Sequence, residues 1–154
     1  ALAVALLSRK GFGSADFAKF HPGGALGKQL YLRVRELYTL HERPVVLPDA
    51  SLSEVILEMT SKRLGATAVE DSSGHLLGII TDGDLRRMLQ RGGGGQVNAK
   101  DILTPAPKFV SPDTLAVDAL ALMRQYSITQ LVVMEHGKYL GIVHLHDLLR
   151  EGLV

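Results

Sequence analysis

The stretch Gly78-Ile79-Ile80-Thr81-Asp82-Gly83-Asp84 decides how the surrounding chain folds. Residues 78–80 have the apolar character that is typical of the end of a buried strand. Residues 81–84 are polar and predict a turn that opens a helix, because apolar residues follow them at helical spacing. These apolar residues are Leu85, Met88 and Leu89.

Two roles are open for Thr81 and Asp84, which stand three residues apart at the start of this predicted helix. A hydroxyl and a carboxylate in this arrangement can hold a ribose diol, and the free N–H groups of a helix N-terminus favour an anion. The same pair also makes a helix cap, in which Thr81 accepts from the backbone and the helix dipole favours Asp84.

The unit around this stretch is predicted to fold as strand, helix, strand, strand, helix. Its elements are a strand at 44–47, a helix from about 52, strands at 67–70 and 76–81, and a closing helix from about 84 to 91. Ser51 and Glu54 predict a capping box for the first helix, and a turn is predicted at residues 71–74. The apolar face of that helix is predicted to hold Leu52, Val55, Ile56 and Met59.

Residues 100–152 repeat the whole unit. Pro48 and Pro112 are 64 residues apart, whereas Gly78 and Gly141 are 63 apart, so the second turn is one residue shorter. A helix face is predicted from Leu115, Ala119, Leu122 and Met123, and strands at 131–134 and 139–144 follow it. A two-copy repeat with a period above 60 residues is too long for a solenoid and predicts a tandem pair of small α+β units.

The composition excludes several classes of protein. The chain has 154 residues, is 46% hydrophobic and carries a net charge of +1, so a nucleic-acid protein held by phosphate contacts is not expected. It has no Cys, which excludes disulfides and thiolate metal sites. No apolar run approaches the roughly 20 residues that span a bilayer. We therefore expect a cytoplasmic protein without a membrane partner.

Residues 1–30 are too few to bury a core, and we expect them to be a poorly ordered remnant of a preceding domain. Within them, the three glycines and one proline of residues 21–27 predict a loop. The remaining chain divides into a first unit at 31–91, a glycine-rich linker at 92–99 and a second unit at 100–154.

The repeat and its Gly-h-h-Thr-x-x-Asp ending, where h is apolar, resemble cystathionine-β-synthase (CBS) domains, whose tandem pairs form Bateman modules. That resemblance implies a β-α-β-β-α order in each unit and pseudo-two-fold packing. His21-Pro22-Gly23-Gly24-Ala25-Leu26-Gly27 resembles the end of the sugar-isomerase (SIS) domain of bacterial arabinose-5-phosphate isomerases. The stretches at 81–87 and 144–150 also resemble the two repeat ends of that family.

By this resemblance, the parent chain interconverts ribulose 5-phosphate and arabinose 5-phosphate for the synthesis of Kdo, a lipopolysaccharide sugar. His21 would belong to the isomerase site. A lone imidazole on a loop catalyses nothing without a positioned substrate. We therefore expect this chain to be the regulatory part, without catalytic residues or a required cofactor, and to act on the SIS domain of its parent.

The resemblance also implies ligand clefts between the two units, each lined by a strand end and a carboxylate. Thr81 and Asp84 fit that pattern, whereas His144 stands beside Asp147 where a small hydroxyl is usual. The implied pathway suggests CMP-Kdo, which carries a ribose diol and two anionic groups, as the regulatory ligand. The cationic or protonatable groups predicted to bind those anions are Lys62, Arg63, Arg86, Arg87, His144 and His146.

Three alternatives remain. The pair could instead sense an adenosine nucleotide, as most modules of the resembled family do. A metal site is a second alternative, because His144 and His146 on one strand would point to the same face beside Asp147. The third is a homodimerisation module without a ligand. Its contact face would be made by Leu85, Met88, Leu89, Leu148 and Leu149.

Overall fold

The computed structural model describes residues 24–93 and 95–153, so the predictions for His21 and the rest of residues 1–23 lie outside the described part. The first half of that part holds α1 (Ala25–Tyr31), α2 (Arg35–Tyr38), β1 (Val45–Val46), α3 (Leu52–Lys62), β2 (Ala66–Glu70), β3 (Leu76–Thr81) and α4 (Asp82–Gln90). The second half holds α5 (Ala99–Ile102), β4 (Phe109–Val110), α6 (Ala116–Tyr126), β5 (Gln130–Glu135), β6 (Lys138–His144) and α7 (Leu145–Arg150). The predicted tandem α+β order is confirmed.

Each unit contains a three-stranded sheet of the same topology, with orders β1-β2-β3 and β4-β5-β6. The first two strands of each sheet run parallel, and the last two form an antiparallel hairpin. Both hairpins turn where the sequence predicts it. In the second, His136 and Gly137 have φ values of 53° and 75°, the left-handed pair that a two-residue hairpin turn requires.

The two sheets pack against each other through an apolar layer. Tyr139 crosses this layer, and its buried hydroxyl donates a 2.6 Å hydrogen bond to the carbonyl oxygen of Pro44 in the other unit. The buried apolar residues of this layer between the sheets are Leu64, Ala66, Ala68, Ile79, Val132, Tyr139 and Ile142. Because both units supply this layer, the clefts between them have fixed walls.

The segment before the first unit packs onto the second unit. Val34 and Leu37 lie in the core that surrounds α6, together with Leu120, Met123 and Leu131. The backbone follows the same path, since the N–H of Val34 donates to the carbonyl oxygen of Thr114 at 2.9 Å, and the N–H of Ala116 donates to Leu32 at 2.8 Å. Residues 32–37, which sequence spacing assigned to the first unit, therefore complete the core of the second.

The reciprocal contact is made by the chain that follows the glycine-rich stretch. Ala99 is fully buried in the core of the first unit, and its N–H donates to Ala50 at 2.9 Å. Thr104 and Ile79 exchange two backbone hydrogen bonds of 2.8 and 3.0 Å. An added Cβ at Gly78 would lie 2.4 Å from the carbonyl oxygen of Thr104, so only glycine fits this crossing. Each unit thus lends a segment to the other.

The structure corrects several local predictions. The predicted loop at 21–27 is wrong for residues 25–27, because residues 25–31 form α1; good helix formers such as Leu26, Lys28 and Gln29 follow the glycine pair. Ile56 is exposed rather than on the buried face of α3, whose inward side is held by Val55 and Met59. The capping box of Ser51 and Glu54 is confirmed, with distances of 3.2 and 2.7 Å.

No helix in residues 24–93 and 95–153 has the length and apolar character needed to cross a membrane.

Substituting Leu37 tests whether residues 32–37 stabilise the core of the second unit. Leu37→Ala removes a side chain that is 2% exposed and leaves a cavity in the second unit, so the free energy of unfolding should fall by about 2–4 kcal/mol. Leu40→Ala is the matched control, because Leu40 follows in the same segment and is 70% exposed. Urea denaturation followed by circular dichroism measures both. Equal effects of the two substitutions would contradict the proposed role of residues 32–37 in the core.

Candidate functional site

Thr81 and Asp84 form a capping box at the start of α4. The carboxylate oxygen Oδ2 of Asp84 accepts from the N–H and the hydroxyl of Thr81 at 2.9 and 3.1 Å. The N–H of Asp84 in turn donates to the Thr81 hydroxyl oxygen at 3.3 Å. The capping role is therefore filled, and it uses one of the two carboxylate oxygens.

The second carboxylate oxygen of Asp84 faces other parts of the chain. Oδ1 accepts from Arg87 at 2.5 Å and from the hydroxyl of Thr104 at 2.9 Å. Burial on its own raises the pKa of Asp84, but the hydrogen bonds from Thr81, Arg87 and Thr104 outweigh it and lower the pKa below its ordinary value. The buried group is thus held as a carboxylate at neutral pH.

A cavity of about 260 Å³ opens beside this carboxylate, between the two units; we call it the first cleft. Its apolar walls include Ile79, Pro107 and Ile128. Its polar lining is Thr81, Asp84, Arg87, Thr104, Lys108 and Gln130. A carboxylate beside two cationic side chains suits a ligand that has both hydroxyls to donate and an anionic group.

A second cavity of about 460 Å³ neighbours the first cleft, since residues 106–108 line both; we call it the side groove. Its walls include Leu76, Leu122 and Phe109. Tyr126 also lines it, and the ammonium of Lys108 lies 4.4 Å from the centroid of the Tyr126 ring. Apolar and aromatic walls of this kind suit a flat heterocycle.

Sequence reasoning missed Thr104, Lys108 and Gln130. Each precedes a strand or begins one, and each belongs to the second half of the chain although it lines a cleft that the first half opens. Gln130 also donates to the carbonyl oxygen of Leu64 at 3.1 Å and so bridges the units. The proline-rich run at 105–107, which lies between α5 and β4, was the available signal of an irregular lining segment.

Of the six predicted anion-binding residues, only Arg87 lines the first cleft; His144 and His146 belong to the second unit, and the other three lie elsewhere on the first. Lys62 is paired with Glu42 at 2.7 Å and Glu58 at 3.2 Å. Arg63 ends α3 in a left-handed conformation with φ of 61°. Arg86 is exposed, and it is Arg87 on the same helix that lines the cleft.

The second unit has a matching buried carboxylate at Asp147. Its Oδ2 accepts from the N–H of His144 at 2.9 Å, as in the first unit. Its Oδ1 lies 2.7 Å from Nε2 of His41, which follows the segment 32–37 that packs onto this unit. His41 was not predicted, because 106 residues separate it from its partner along the chain.

His144 and His146 lie together beside this carboxylate, with ring centroids 4.5 Å apart. Burial, and then the neighbouring His146, lower the pKa of His144, so it is neutral at physiological pH. Its Nδ1 accepts from the N–H of His146 at 3.0 Å. The premise of the metal alternative is wrong, because β6 ends at His144 and His146 is helical. Within residues 24–93 and 95–153, no group of three His, Asp or Glu residues is placed to hold a metal ion.

Comparison with known proteins gives a family match over both units. The family model described as "CBS domain" matches residues 34–91 and 99–153. An arabinose 5-phosphate isomerase, KdsD, from Yersinia pestis is 50% identical over 157 residues, which covers 100% of this chain and 48% of the relative. The chain therefore spans about half the length of this curated relative.

Solved structures with a similar fold include a CBS-domain protein from Agrobacterium tumefaciens. It aligns with a TM-score of 0.71 at 22% identity, over 78% of this chain and 92% of the other. The structure of CBSX2 in complex with AMP aligns with a TM-score of 0.66 at 25% identity, over 80% of this chain and 96% of the other.

The lowered pKa of Asp84 predicts a pH dependence of stability. A carboxylate with a folded-state pKa below its unfolded value of 3.8 stabilises the fold above that pH, and the contribution is lost as the pH falls through the folded pKa. The free energy of unfolding should therefore fall less steeply between about pH 5 and pH 2 in Asp84→Asn than in the wild type. The difference is about 1.4 kcal/mol for each pH unit by which the folded-state pKa of Asp84 lies below its unfolded value.

The matched control is Asp118→Asn, which removes an exposed carboxylate from the first turn of α6. Urea denaturation across this pH range compares the three proteins. A slope for Asp84→Asn that equals those of the wild type and of Asp118→Asn would overturn the prediction.

Proposed function

This chain belongs to the CBS domain family, and from that membership we propose that it is a regulatory module that binds a nucleotide in the first cleft. One observation carries the proposal: the buried carboxylate of Asp84 faces a cavity whose rim also holds Arg87 and Lys108. A carboxylate accepts from a ribose diol, and the two cations pair with phosphate. The ligand is regulatory, and no cofactor is required.

The ligand would bind along the first cleft and the side groove. Its ribose hydroxyls donate to Oδ1 of Asp84, in the direction from which Thr104 now donates at 2.9 Å. Its phosphate lies between Arg87 and Lys108, and its base enters the side groove against Tyr126. Arg87 is well placed to exchange partners, because its side chain is largely exposed although it already pairs with Asp84.

CMP-Kdo is the ligand that we propose. The likeness to arabinose 5-phosphate isomerase KdsD supports a parent chain that makes a Kdo precursor, so the activated sugar would act as a feedback signal. Its sugar carboxylate adds a second anion, for which the pair of Arg87 and Lys108 supplies two donors. Its length suits two cavities joined at residues 106–108. An adenosine nucleotide is the alternative, supported by the AMP complex of CBSX2.

The parent activity would remain outside this chain. We propose that this module has no isomerase activity of its own, and that the parent chain works in the cytoplasm as an isomerase. Binding in the first cleft would change the relative free energies of the module's conformations and so shift the activity of an attached SIS domain. The predicted role of His21 belongs to that domain and stays a prediction.

Calorimetric titration tests the ligand and its site. CMP-Kdo should bind more tightly than CMP or AMP, since it offers a second anion. Arg87→Ala and Asp84→Ala should each weaken it by about 1–3 kcal/mol, which is roughly 5- to 150-fold in Kd. Arg86→Ala is the matched control, because it removes the same charge from the neighbouring position of α4, outside the cleft.

Absence of heat with CMP-Kdo at millimolar concentration, together with heat from AMP, would replace the proposed ligand by the alternative. Absence of heat from every nucleotide would end the proposed function. A loss in Arg86→Ala as large as that in Arg87→Ala would move the site away from the first cleft.

Homodimerisation is a second role, compatible with the first. Leu89 of α4 and Leu149 of α7 remain exposed in the described chain, and exposed apolar side chains on both closing helices favour a contact between copies. Two residues of the predicted dimer face are not available for such a contact. Leu148 is fully buried in the second core, and Leu85 packs against the first.

Sedimentation equilibrium tests this role. Leu89→Glu places a charge on a side chain that is 64% exposed, so it should weaken a dimer at least tenfold without changing the circular dichroism spectrum. Leu77→Glu is the control, because Leu77 is exposed on β3 rather than on a closing helix. A wild-type chain that sediments as a monomer at 100 μM would contradict the proposal.

A further inference from the structure

The two buried carboxylates are capped alike but differ in what reaches their second oxygen. Oδ1 of Asp84 accepts from the small hydroxyl of Thr104 and from the largely exposed guanidinium of Arg87, and the first cleft remains open beside it. Oδ1 of Asp147 lies 2.7 Å from an imidazole nitrogen of His41. Both donors come from the segment that enters from the other half of the chain, at nearly equivalent positions, because His41 and Thr104 are 63 residues apart.

The pair of His41 and Asp147 is enclosed. The side chains are 20% and 3% exposed, so little solvent competes for the contact. An imidazole ring extends further than a hydroxyl, and it occupies the direction from which a diol would approach Asp147. His144 adds a second ring on the helix side, with its Nδ1 turned to the N–H of His146.

His41 is held in place by the segment that carries it. The ring of Tyr38 covers Gly141, where an added Cβ would lie 3.0 Å from the ring. The N–H of His41 donates to the carbonyl oxygen of Tyr38 at 3.1 Å, which links the imidazole to α2. Val34 and Leu37 anchor α2 in the second core. Residues 32–41 are therefore docked on the second unit from Val34 to His41; we call them the strap.

We propose that His41 is an internal competitor that fills the space beside Asp147, the second unit's equivalent of the first cleft, which we call the second cleft, so that the chain binds a single nucleotide, in the first cleft. A diol-bearing ligand binds at Asp147 only after His41 withdraws. Such binding and the docking of residues 32–41 exclude each other. The affinity of the second cleft for a nucleotide therefore depends on whether residues 32–41 are docked. This inference rests on the proposed nucleotide-binding function.

Counting bound nucleotide tests the competition. In calorimetry with CMP-Kdo, the ligand proposed above, the wild-type chain should bind one equivalent and His41→Ala should bind two. The double variant His41→Ala/Asp147→Ala should return to one. His75→Ala is the control and should bind one, because His75 is an exposed histidine that pairs with Asp71 in a surface turn. Two equivalents in the wild type, or one in His41→Ala, would overturn the proposal.

A ligand-free measurement separates this inference from the proposed function. Asp147→Asn weakens the contact that holds His41, so the amides of Val34 and Arg35 should exchange with solvent roughly tenfold faster or more, as expected for loss of a hydrogen bond to a charged group. Amides in β2 should keep their wild-type rates. Unchanged exchange at Val34 and Arg35 would show that the pair does not hold the strap, even if nucleotide binds. Failure of all nucleotides to bind, with faster exchange, would overturn the proposed function alone.

Discussion

A buried aspartate at the junction of a strand and a helix is the constraint on which both units depend. In each unit it accepts the backbone N–H of the residue that ends the strand, at 2.9 Å for both Asp84 and Asp147. This bond fixes the angle at which the closing helix leaves the sheet and satisfies a donor that the helix cannot use itself. The second oxygen then faces the boundary between units, where a residue from the other half of the chain reaches it, Thr104 at Asp84 and His41 at Asp147.

Those donors arrive because each unit lends a segment to the other. Thr104 follows a helix whose Ala99 is buried in the first core, and His41 follows a helix whose Leu37 is buried in the second. Apolar burial of these anchors stabilises the crossing, and the polar residue is carried into place behind them. The difference between an open and a closed cleft then reduces to the size of one side chain, a hydroxyl in one unit and an imidazole in the other.

Local pattern was enough to predict the strands and the two main helices of each unit and their order, because hydrophobic spacing and turn residues act within a few positions; the short helices α1, α2 and α5 were not predicted. The capping boxes, both hairpins and the tandem repeat follow from that kind of signal. Contacts between distant residues leave no such signal. The pairing of His41 with Asp147 and the crossing of Thr104 over Gly78 depend on how the halves meet. Likewise, Lys62 and Arg87 are both cations near the end of a helix, and only the fold shows that Lys62 pairs with Glu42 and Glu58 whereas Arg87 lines the first cleft.

The exchange of segments also bears on how such a chain can be divided. A cut at Gly92 would yield two fragments, each missing the piece that closes its own interior, so neither would fold alone. Mixed together, each would supply what the other lacks, and they would reassemble as a complementing pair.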